Sequence, residues 1–202
     1  MTSTPAHEAV SARFGDAVTG HGEFRGELTI SVRPDAIRDV CAFCHSDLGF
    51  DMLLDISSVD HPERNPRFDV VYELYSLRAG AHLRLKTTAA EDDPKVLSVI
   101  GVWPGADWHE REVWDMMGIR FEGHPDLRRI IMWEGYPFHP LRKDFPLEGE
   151  RSDVPGVAFT EPAPLAGGPF VTAPVEGTTQ VREPRARHAG DHPADAAFLA
   201  EP

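Results

Sequence analysis

The side chains that could do chemistry are concentrated between Glu110 and Gly149, where charged, aromatic and histidine residues follow one another closely. All four tryptophans of the chain, at positions 103, 108, 114 and 133, lie just before or within this stretch. Aromatic and arginine side chains are enriched in the buried centres of protein interfaces. Because the stretch contains no complete catalytic or cofactor-binding set, we predict that it joins other proteins.

Histidines and carboxylates of this stretch could together bind a metal ion or act in acid-base chemistry. The candidates are His109, His124, His139, Glu110, Glu112, Asp115 and Asp126. None of the histidines has the HxxxH or HExxH spacing that places two ligands on one helix face, and basic side chains lie among the carboxylates. We therefore predict salt bridges and caps here, with His124 and His139 as turn residues that each make a side-chain hydrogen bond.

Two further motifs could indicate a cofactor. Cys41 and Cys44 have the CxxC spacing of a redox dithiol or of half a zinc site. Both also complete the apolar stripe of a predicted helix, which favours buried structural thiols, and two thiolates cannot supply the four that an iron-sulfur cluster normally needs. The sequence GHGEFRG at 20–26 is similar to a dinucleotide fingerprint, but its third glycine is misplaced and it precedes a strand. We expect no catalytic, cofactor-binding or metal residue in this chain.

The charge balance excludes two classes of partner. The chain has 20 Lys and Arg against 33 Asp and Glu, a net charge of −13, which disfavours nucleic acid and anionic lipid surfaces. The longest nearly apolar run, Val96 to Trp103, is far shorter than the roughly 20 residues of a membrane helix, so membrane association is expected only through other subunits. The N-terminal sequence is unlike a secretory signal, and only two cysteines are present, so we expect an intracellular location.

The elements that must position these residues are predicted to form an α+β fold, with helices on one face of a two-layer, mixed or antiparallel sheet. Alternating apolar residues predict a strand over 23–33, and a second strand is predicted over 50–59. A short helix is predicted over 6–14. An amphipathic helix is predicted over 34–48, with Gly49 as its C-terminal stop.

A β-hairpin is predicted from Phe68 to Thr87 because apolar and polar residues alternate on both sides of the link at 78–81. Pairing Leu74 with Leu85 and Glu73 with Lys86 places an apolar pair on one face and an opposite-charge pair on the other.

Two helices and an extended segment are predicted to follow. The first helix begins with Asp93 as N-cap, and the second has Asp107 as N-cap, Glu110 three residues later and Gly118 at its end. Four prolines predict extended chain with turns after Gly118. We divide the chain into an N-terminal extension (1–22), an α+β core (23–118), an extended segment packed on that core and on partners (119–150), and a Pro/Gly-rich tail (151–202).

One ordered run of residues resembles a known family. It comprises Glu110, Arg111, Glu112, Asp115, Gly118, Ile119, Phe121, Gly123, His124, Pro125, Asp126, Leu127, Arg128, Arg129, Ile130, Pro140, Leu141, Arg142, Lys143, Asp144, Phe145 and Pro146. This run is similar to the signature of the C subunit of the proton-pumping NADH:quinone oxidoreductase, respiratory complex I. Trp114, where Tyr or Phe is more usual, and the residues 133–138 depart from that signature.

The resemblance implies a cofactor-free subunit of the hydrophilic, peripheral arm, held against the quinone-reducing D subunit and the iron-sulfur subunits B and I. In that enzyme electrons pass from NADH through FMN and iron-sulfur clusters to a quinone, coupled to proton translocation, and these groups are expected on other subunits. The chain is expected at the cytoplasmic face of the bacterial inner membrane, attached through the complex, with the D subunit as a separate polypeptide.

The charged residues of the signature are the candidates for assembly. We expect some to bind the extended segment to the core and others to contact the D subunit, and the sequence leaves that division open. Three alternatives also stay open: the corresponding subunit of a membrane-bound hydrogenase or formate hydrogenlyase, a dithiol or zinc protein built on Cys41 and Cys44, and a free-standing binding module.

Overall fold

The computed structural model of the chain describes residues 3–147 and residue 149. A compact unit that ends at Phe145 contains all the elements. In chain order these are α1 (Ser3–Phe14), a 3-10 turn (Gly15–Ala17), β1 (Val18–Phe24), β2 (Glu27–Val32), α2 (Ile37–Ser46), β3 (Met52–Asp60), β4 (Phe68–Ser76), β5 (Ala81–Ala89), β6 (Lys95–Leu97), α3 (Ala106–Met117) and β7 (Arg120–Glu122). The predicted tail, residues 151–202, lies outside the described residues.

A mixed five-stranded sheet is the centre of this α+β fold, in the order β1-β2-β5-β4-β3. Strands β2 and β5 run parallel, and the other neighbours are antiparallel. Ile30, Tyr72 and Leu85 are fully buried on the face that packs against the helices. Glu73 and Arg84 pair on the opposite face, as the period of two along a strand requires. The predicted α+β class and mixed sheet are confirmed.

The β4–β5 hairpin is confirmed, but its predicted register is wrong by two residues. Leu74 lies opposite Leu83, and Glu73 lies opposite Arg84. Ser76 and Ala81 close a four-residue turn in which Gly80 has a φ of +59°, so the turn begins earlier than predicted. Since a shift of two residues preserves the faces, the predicted inward apolar pair and outward opposite-charge pair are still present.

The strand predicted over 23–33 is divided by a tight turn. Arg25 and Gly26 have φ values of +54° and +82°, and the chain reverses there between β1 and β2. The 20–26 glycine motif is therefore part of a hairpin, and Phe24 is 71% exposed instead of belonging to the buried set. Helix α1 and strand β1 extend the structured part of the chain N-terminal to residue 23, and Val10 of α1 is fully buried.

The helix predicted after Asp93 is wrong. Residues Lys95–Leu97 form strand β6, which pairs in parallel with β7. A short apolar run does not distinguish a buried strand from a buried helix, and here the partner strand lies some two dozen residues later. The predicted helices α2 and α3 are confirmed, and Gly49 adopts a φ of +75° after α2. Among the described residues, every helix is too short or too polar to cross a membrane.

Candidate interaction surface

Helix α3 divides its side chains between the core and residues 119–145, which we call the clamped segment. Ala106, Glu110 and Val113 are buried in or against the core. Arg111 and Asp115 point to the clamped segment, one turn apart as 3.6 residues per turn predicts. Gly118 ends the helix in the left-handed conformation, as predicted.

The predicted capping box at the start of α3 is wrong, because Glu110 is a fully buried core residue. Gly105 precedes the helix, and Asp107 lies inside its first turn. The Ser98 hydroxyl donates to Glu110 Oε2 at 2.6 Å, and the Val99 N–H donates to Oε1 at 2.7 Å. Burial raises the pKa of Glu110 from 4.5 to about 7, although these two hydrogen bonds act in the opposite direction.

Replacing Glu110 with glutamine is expected to remove a pH dependence of stability. A carboxyl group with a raised folded-state pKa stabilises the fold fully below the unfolded value of 4.5, and this contribution is lost as pH rises through about 7. Between these pH values the free energy of unfolding of the wild type should fall by about 3 kcal/mol relative to Glu110→Gln. Urea denaturation of both purified chains at several pH values measures this difference, and two parallel pH curves would contradict it.

Asp115 organises the clamped segment from a fully buried position on α3. The consecutive N–H groups of Ile130, Ile131 and Met132 donate to its Oδ2 at 3.0, 2.8 and 2.9 Å. Arg129 Nη1 donates to Oδ1. Three successive N–H groups around one oxygen form a nest that favours an anion. Burial is the largest influence and raises the pKa of Asp115, but the hydrogen bonds outweigh it and lower the pKa below its usual value.

Arg129 and His139 tie the clamped segment to the same turn of α3. Arg129 donates to the Asp115 carbonyl at 3.0 Å and to the Phe138 carbonyl at 3.1 Å. His139 Nδ1 lies 3.0 Å from the Asp115 carbonyl oxygen. Burial, with smaller contributions from neighbouring arginines, lowers the pKa of His139. The neutral ring therefore donates this hydrogen bond at neutral pH, which confirms the predicted side-chain hydrogen bond of His139.

The last carbonyls of α3 are also satisfied by the clamped segment. Arg142 Nε donates to the Met117 carbonyl at 2.7 Å, and the Leu141 N–H donates to the Met116 carbonyl at 3.1 Å. These carbonyls have no partner within the helix itself, so the contacts act as a C-terminal cap. Arg142 is thus an internal clamp.

A second buried carboxylate, Asp60 at the end of β3, anchors the clamped segment near its C-terminal end. Arg67 donates to its two oxygens at 2.6 and 2.8 Å, and the Lys143 N–H donates at 2.8 Å. Asp144 lies 3.1 Å from Arg67, which is one of the salt bridges that the charge density of this stretch predicts. The hydrogen bond from Arg67 is the largest cause of the lowered pKa of Asp60. Neither Asp60 nor Arg67 is among the residues that the sequence pattern singles out.

Gly118 permits the close approach of the clamped segment to the end of α3. Its φ is +75°, and a Cβ atom there would lie 2.6 Å from the His139 ring and 2.7 Å from Arg142 Nη2. The site therefore requires glycine for both its backbone conformation and its contacts.

Replacing Gly118 with alanine is expected to destabilise the chain more than the matched change Gly123→Ala. Both glycines have positive φ, which costs about 1–2 kcal/mol for an L residue, but a Cβ at Gly123 meets no atom within 4 Å. We expect Gly118→Ala to lower the free energy of unfolding by at least about 1 kcal/mol more than Gly123→Ala, because the added Cβ displaces His139 and Arg142. Thermal or urea denaturation of the two variants gives the comparison, and equal losses would show that this approach is unimportant.

The remaining signature residues make local contacts, and most of them lie at the surface. His124 is an exception, because its side chain is buried: its Nδ1 accepts a hydrogen bond from the Asp126 N–H at 3.0 Å, as predicted for a turn, and its Nε2 lies 3.2 Å from Asp107. Arg128 pairs with Asp126 at 3.0 Å, and both side chains are largely exposed. The exposed signature residues are Glu112, Gly123, Pro125, Asp126, Arg128, Leu141, Lys143 and Asp144. Leu127 and Pro140 are half-buried.

An open groove lies between α3 and the clamped segment, and we call it the Trp–Arg groove. Its lining residues are Trp108, Arg111, Trp114, Leu127, Arg128, Arg129, Ile130, Glu134 and Gly135. Trp108 is 62% exposed, and the Arg111 guanidinium lies 5.1 Å from the centre of its ring. Arg111 also donates to the Arg128 carbonyl at 3.1 Å, which connects both walls of the groove.

The cysteine pair belongs to the core. Cys41 and Cys44 are free, fully buried thiols on α2, which confirms the predicted structural packing. Burial raises the pKa of both, that of Cys44 to about 12, so neither is a ready thiolate. Within residues 3–147, no group of three or more His, Cys, Asp or Glu side chains could bind a metal ion.

An α+β domain with a clamped, charged segment beside an open groove has the form of a subunit that assembles with other proteins. A family model described as respiratory-chain NADH dehydrogenase, 30 kDa subunit, matches residues 30–151. The chain belongs to this family, and it is therefore a subunit of the NADH-quinone oxidoreductase type, an oxidoreductase complex.

Relatives of known name agree with this assignment. The second C subunit of the NADH-quinone oxidoreductase of Rhizobium meliloti is 48% identical over 163 residues, which cover 79% of this chain and 89% of the relative. The C subunit of the same type of enzyme from a Roseiflexus species is 47% identical over 155 residues, which cover 76% of this chain and 86% of the relative.

Two solved structures share the fold. A trypsin-resistant fragment of Nqo5 is 32% identical and superposes with a TM-score of 0.55 over 63% of this chain and all of the fragment. A chain of the membrane-bound sulfane sulfur reductase, an archaeal respiratory membrane complex, is 25% identical with a TM-score of 0.62 over 73% of this chain and 87% of that chain.

Proposed function

We propose that the chain is a cofactor-free structural subunit of the peripheral arm, which positions the quinone-reducing D subunit and the iron-sulfur subunits B and I. FMN, the iron-sulfur clusters, NADH and the quinone bind to other subunits. The chain lies at the cytoplasmic face of the bacterial inner membrane and is attached there through the complex. Transfer of electrons between centres on separate polypeptides requires that those polypeptides have a fixed separation.

The observation that carries this proposal is the pair of buried carboxylates that fix the clamped segment. Asp115 accepts a hydrogen bond from the Ile130 N–H, and Asp60 accepts one from the Lys143 N–H. The two carboxylates therefore hold the clamped segment at both ends of its part from Ile130 to Lys143. A segment ordered in this way before assembly loses less conformational entropy when partners bind. The exposed signature residues, Arg128 among them, then face outward from a rigid support.

The corresponding hydrogenase or formate hydrogenlyase subunit is a less favoured function. Each of the relatives reported above is named as a C subunit of NADH-quinone oxidoreductase. A complex containing a nickel-bearing large subunit would be required for that alternative.

Native electrophoresis of host membranes, with mass spectrometry of the band that contains this chain, tests the proposed function. We expect co-migration with subunits B, D and I, and neither flavin nor iron in the chain purified alone. Co-migration with a nickel-bearing hydrogenase subunit would favour the alternative. A lone monomer in the native host, or a flavin or cluster bound to the isolated chain, would contradict the proposal.

A further inference from the structure

The Trp–Arg groove has two walls, and hydrogen bonds within this chain hold both of them in place without a partner. Helix α3 forms one wall with Trp108 and Trp114, and residues 127–130 and 134–135 form the other. The nest around Asp115 binds the second wall to the first. A groove fixed by buried hydrogen bonds is preorganised, so a ligand need not order it on binding.

The charge of the groove opposes the charge of the chain. Its lining carries three arginines and one glutamate, whereas the whole chain has a net charge of −13. Asp115 neutralises Arg129, but Arg111 donates to main-chain carbonyls, and its closest carboxylate, Asp107, is 3.8 Å away. Arg128 pairs only with exposed Asp126 among the described salt bridges, and such pairs are worth at most about 1 kcal/mol. Arg128 is therefore the arginine of the groove whose guanidinium is open to an incoming carboxylate.

The groove also presents apolar surface. Trp108 is 62% exposed, and the lining residues Trp114, Leu127 and Ile130 are half-buried. The Arg111 guanidinium lies over the Trp108 ring at 5.1 Å from its centre, within the range of a cation–π contact. Tryptophan and arginine are the residue types that most often dominate binding energy at interfaces.

The size of the groove limits its occupant. The six-residue step along α3 from Trp108 to Trp114 spans about 9 Å. That length accommodates about three residues of extended chain. A short extended peptide segment that contacts both tryptophans therefore fits the site.

We propose that the Trp–Arg groove binds an extended segment of a separate subunit, which places a carboxylate against Arg128 and an apolar side chain on Trp108. The inference rests on the proposed function, because it requires that the chain assemble with other polypeptides. It adds the chemistry of the segment that the partner contributes.

Site-specific photo-crosslinking in the assembled complex identifies the occupant. A photoreactive phenylalanine analogue replaces Trp108 in the full chain, and the same analogue replaces exposed Arg38 of α2 as the control. We expect light to join position 108 to a peptide of another subunit with Asp or Glu within about three residues of the crosslink, and position 38 to give no such product.

Several outcomes would overturn the inference. These are a crosslink from position 108 to the chain's own tail, to a second copy of the chain, or to a peptide without an acidic residue, and the absence of any crosslink in an assembled complex. Failure of the wild-type chain to enter a complex is a separate result that would contradict the proposed function itself.

Variants of Arg128 provide a test that does not depend on the crosslinker. Because its side chain is 70% exposed, Arg128→Glu should leave the melting temperature of the isolated chain unchanged. We expect retention of this variant in the purified complex to fall at least about tenfold, and Arg128→Lys to stay within about threefold of wild type. Wild-type retention of Arg128→Glu, or an equal loss for both variants, would contradict a carboxylate partner.

Discussion

Replacing Asp115 with asparagine is expected to destabilise the chain by about 3–5 kcal/mol. The change keeps the shape of the side chain but removes the negative charge. Arg129, which is almost fully buried, then has no counter-charge, and the amide group cannot replace an anion inside the nest. Urea denaturation of the purified wild type and variant measures the loss in the free energy of unfolding.

Hydrogen exchange shows whether the loss of stability in Asp115→Asn begins in the clamped segment. The N–H groups of residues 130–132 should lose protection first, because Asp115 Oδ2 is their acceptor. Asp92→Asn, in an exposed loop, is the control and should change stability by less than about 0.5 kcal/mol. The lowered pKa of Asp115 also predicts that its contribution is complete above the unfolded value near 3.8 and is lost as pH falls through the folded value. Similar losses for Asp115→Asn and Asp92→Asn would contradict this account.

Replacing Arg67 with methionine is also expected to have a large effect, lowering the free energy of unfolding by about 3–5 kcal/mol. Methionine preserves much of the apolar stem but leaves the Asp60 carboxylate, whose side chain is fully buried, without its bidentate partner. The Lys143 N–H alone then remains of the hydrogen bonds that the structure gives to Asp60. The loss is measured by urea denaturation at neutral pH.

Arg64→Met is the matched control for this change. Arg64 pairs with Asp69 at 2.9 Å but is about half exposed, so its loss should cost at most about 1 kcal/mol. The double variant Asp60→Leu with Arg67→Met should recover part of the loss, because no unpaired charge remains buried. If Arg67→Met costs no more than Arg64→Met, the buried pair does not anchor the clamped segment.

The period of two in β4 and β5 was sufficient to assign both faces of the hairpin from the sequence. The register was missed because it depends on where the turn between Ser76 and Ala81 closes, and the alternation is the same for any even shift. Strand β6 was missed for a related reason. Its pairing partner, β7, follows α3 in the sequence. The local pattern of residues around β6 carries no information about a partner that far along the chain.

The nature of the clamped segment could also be predicted, but not its anchors. Density of charge around Asp115, Arg129 and Asp144 indicated ion pairs, and the structure forms them. Asp60 lies 83 residues before Lys143, which it binds, and an isolated Asp has no spacing signal at that distance. Glu110 was interpreted as a cap because a helix start and a core position can present the same local sequence.

The central claim is that this chain holds neighbouring subunits in position without a redox centre of its own. It is tested most directly in membranes from cells that lack the chain, by native electrophoresis with mass spectrometry of subunits B, D and I. The account predicts that these subunits no longer migrate together and that NADH:quinone activity is lost, with both restored by the wild-type chain. An intact, fully active complex in the absence of the chain would contradict it.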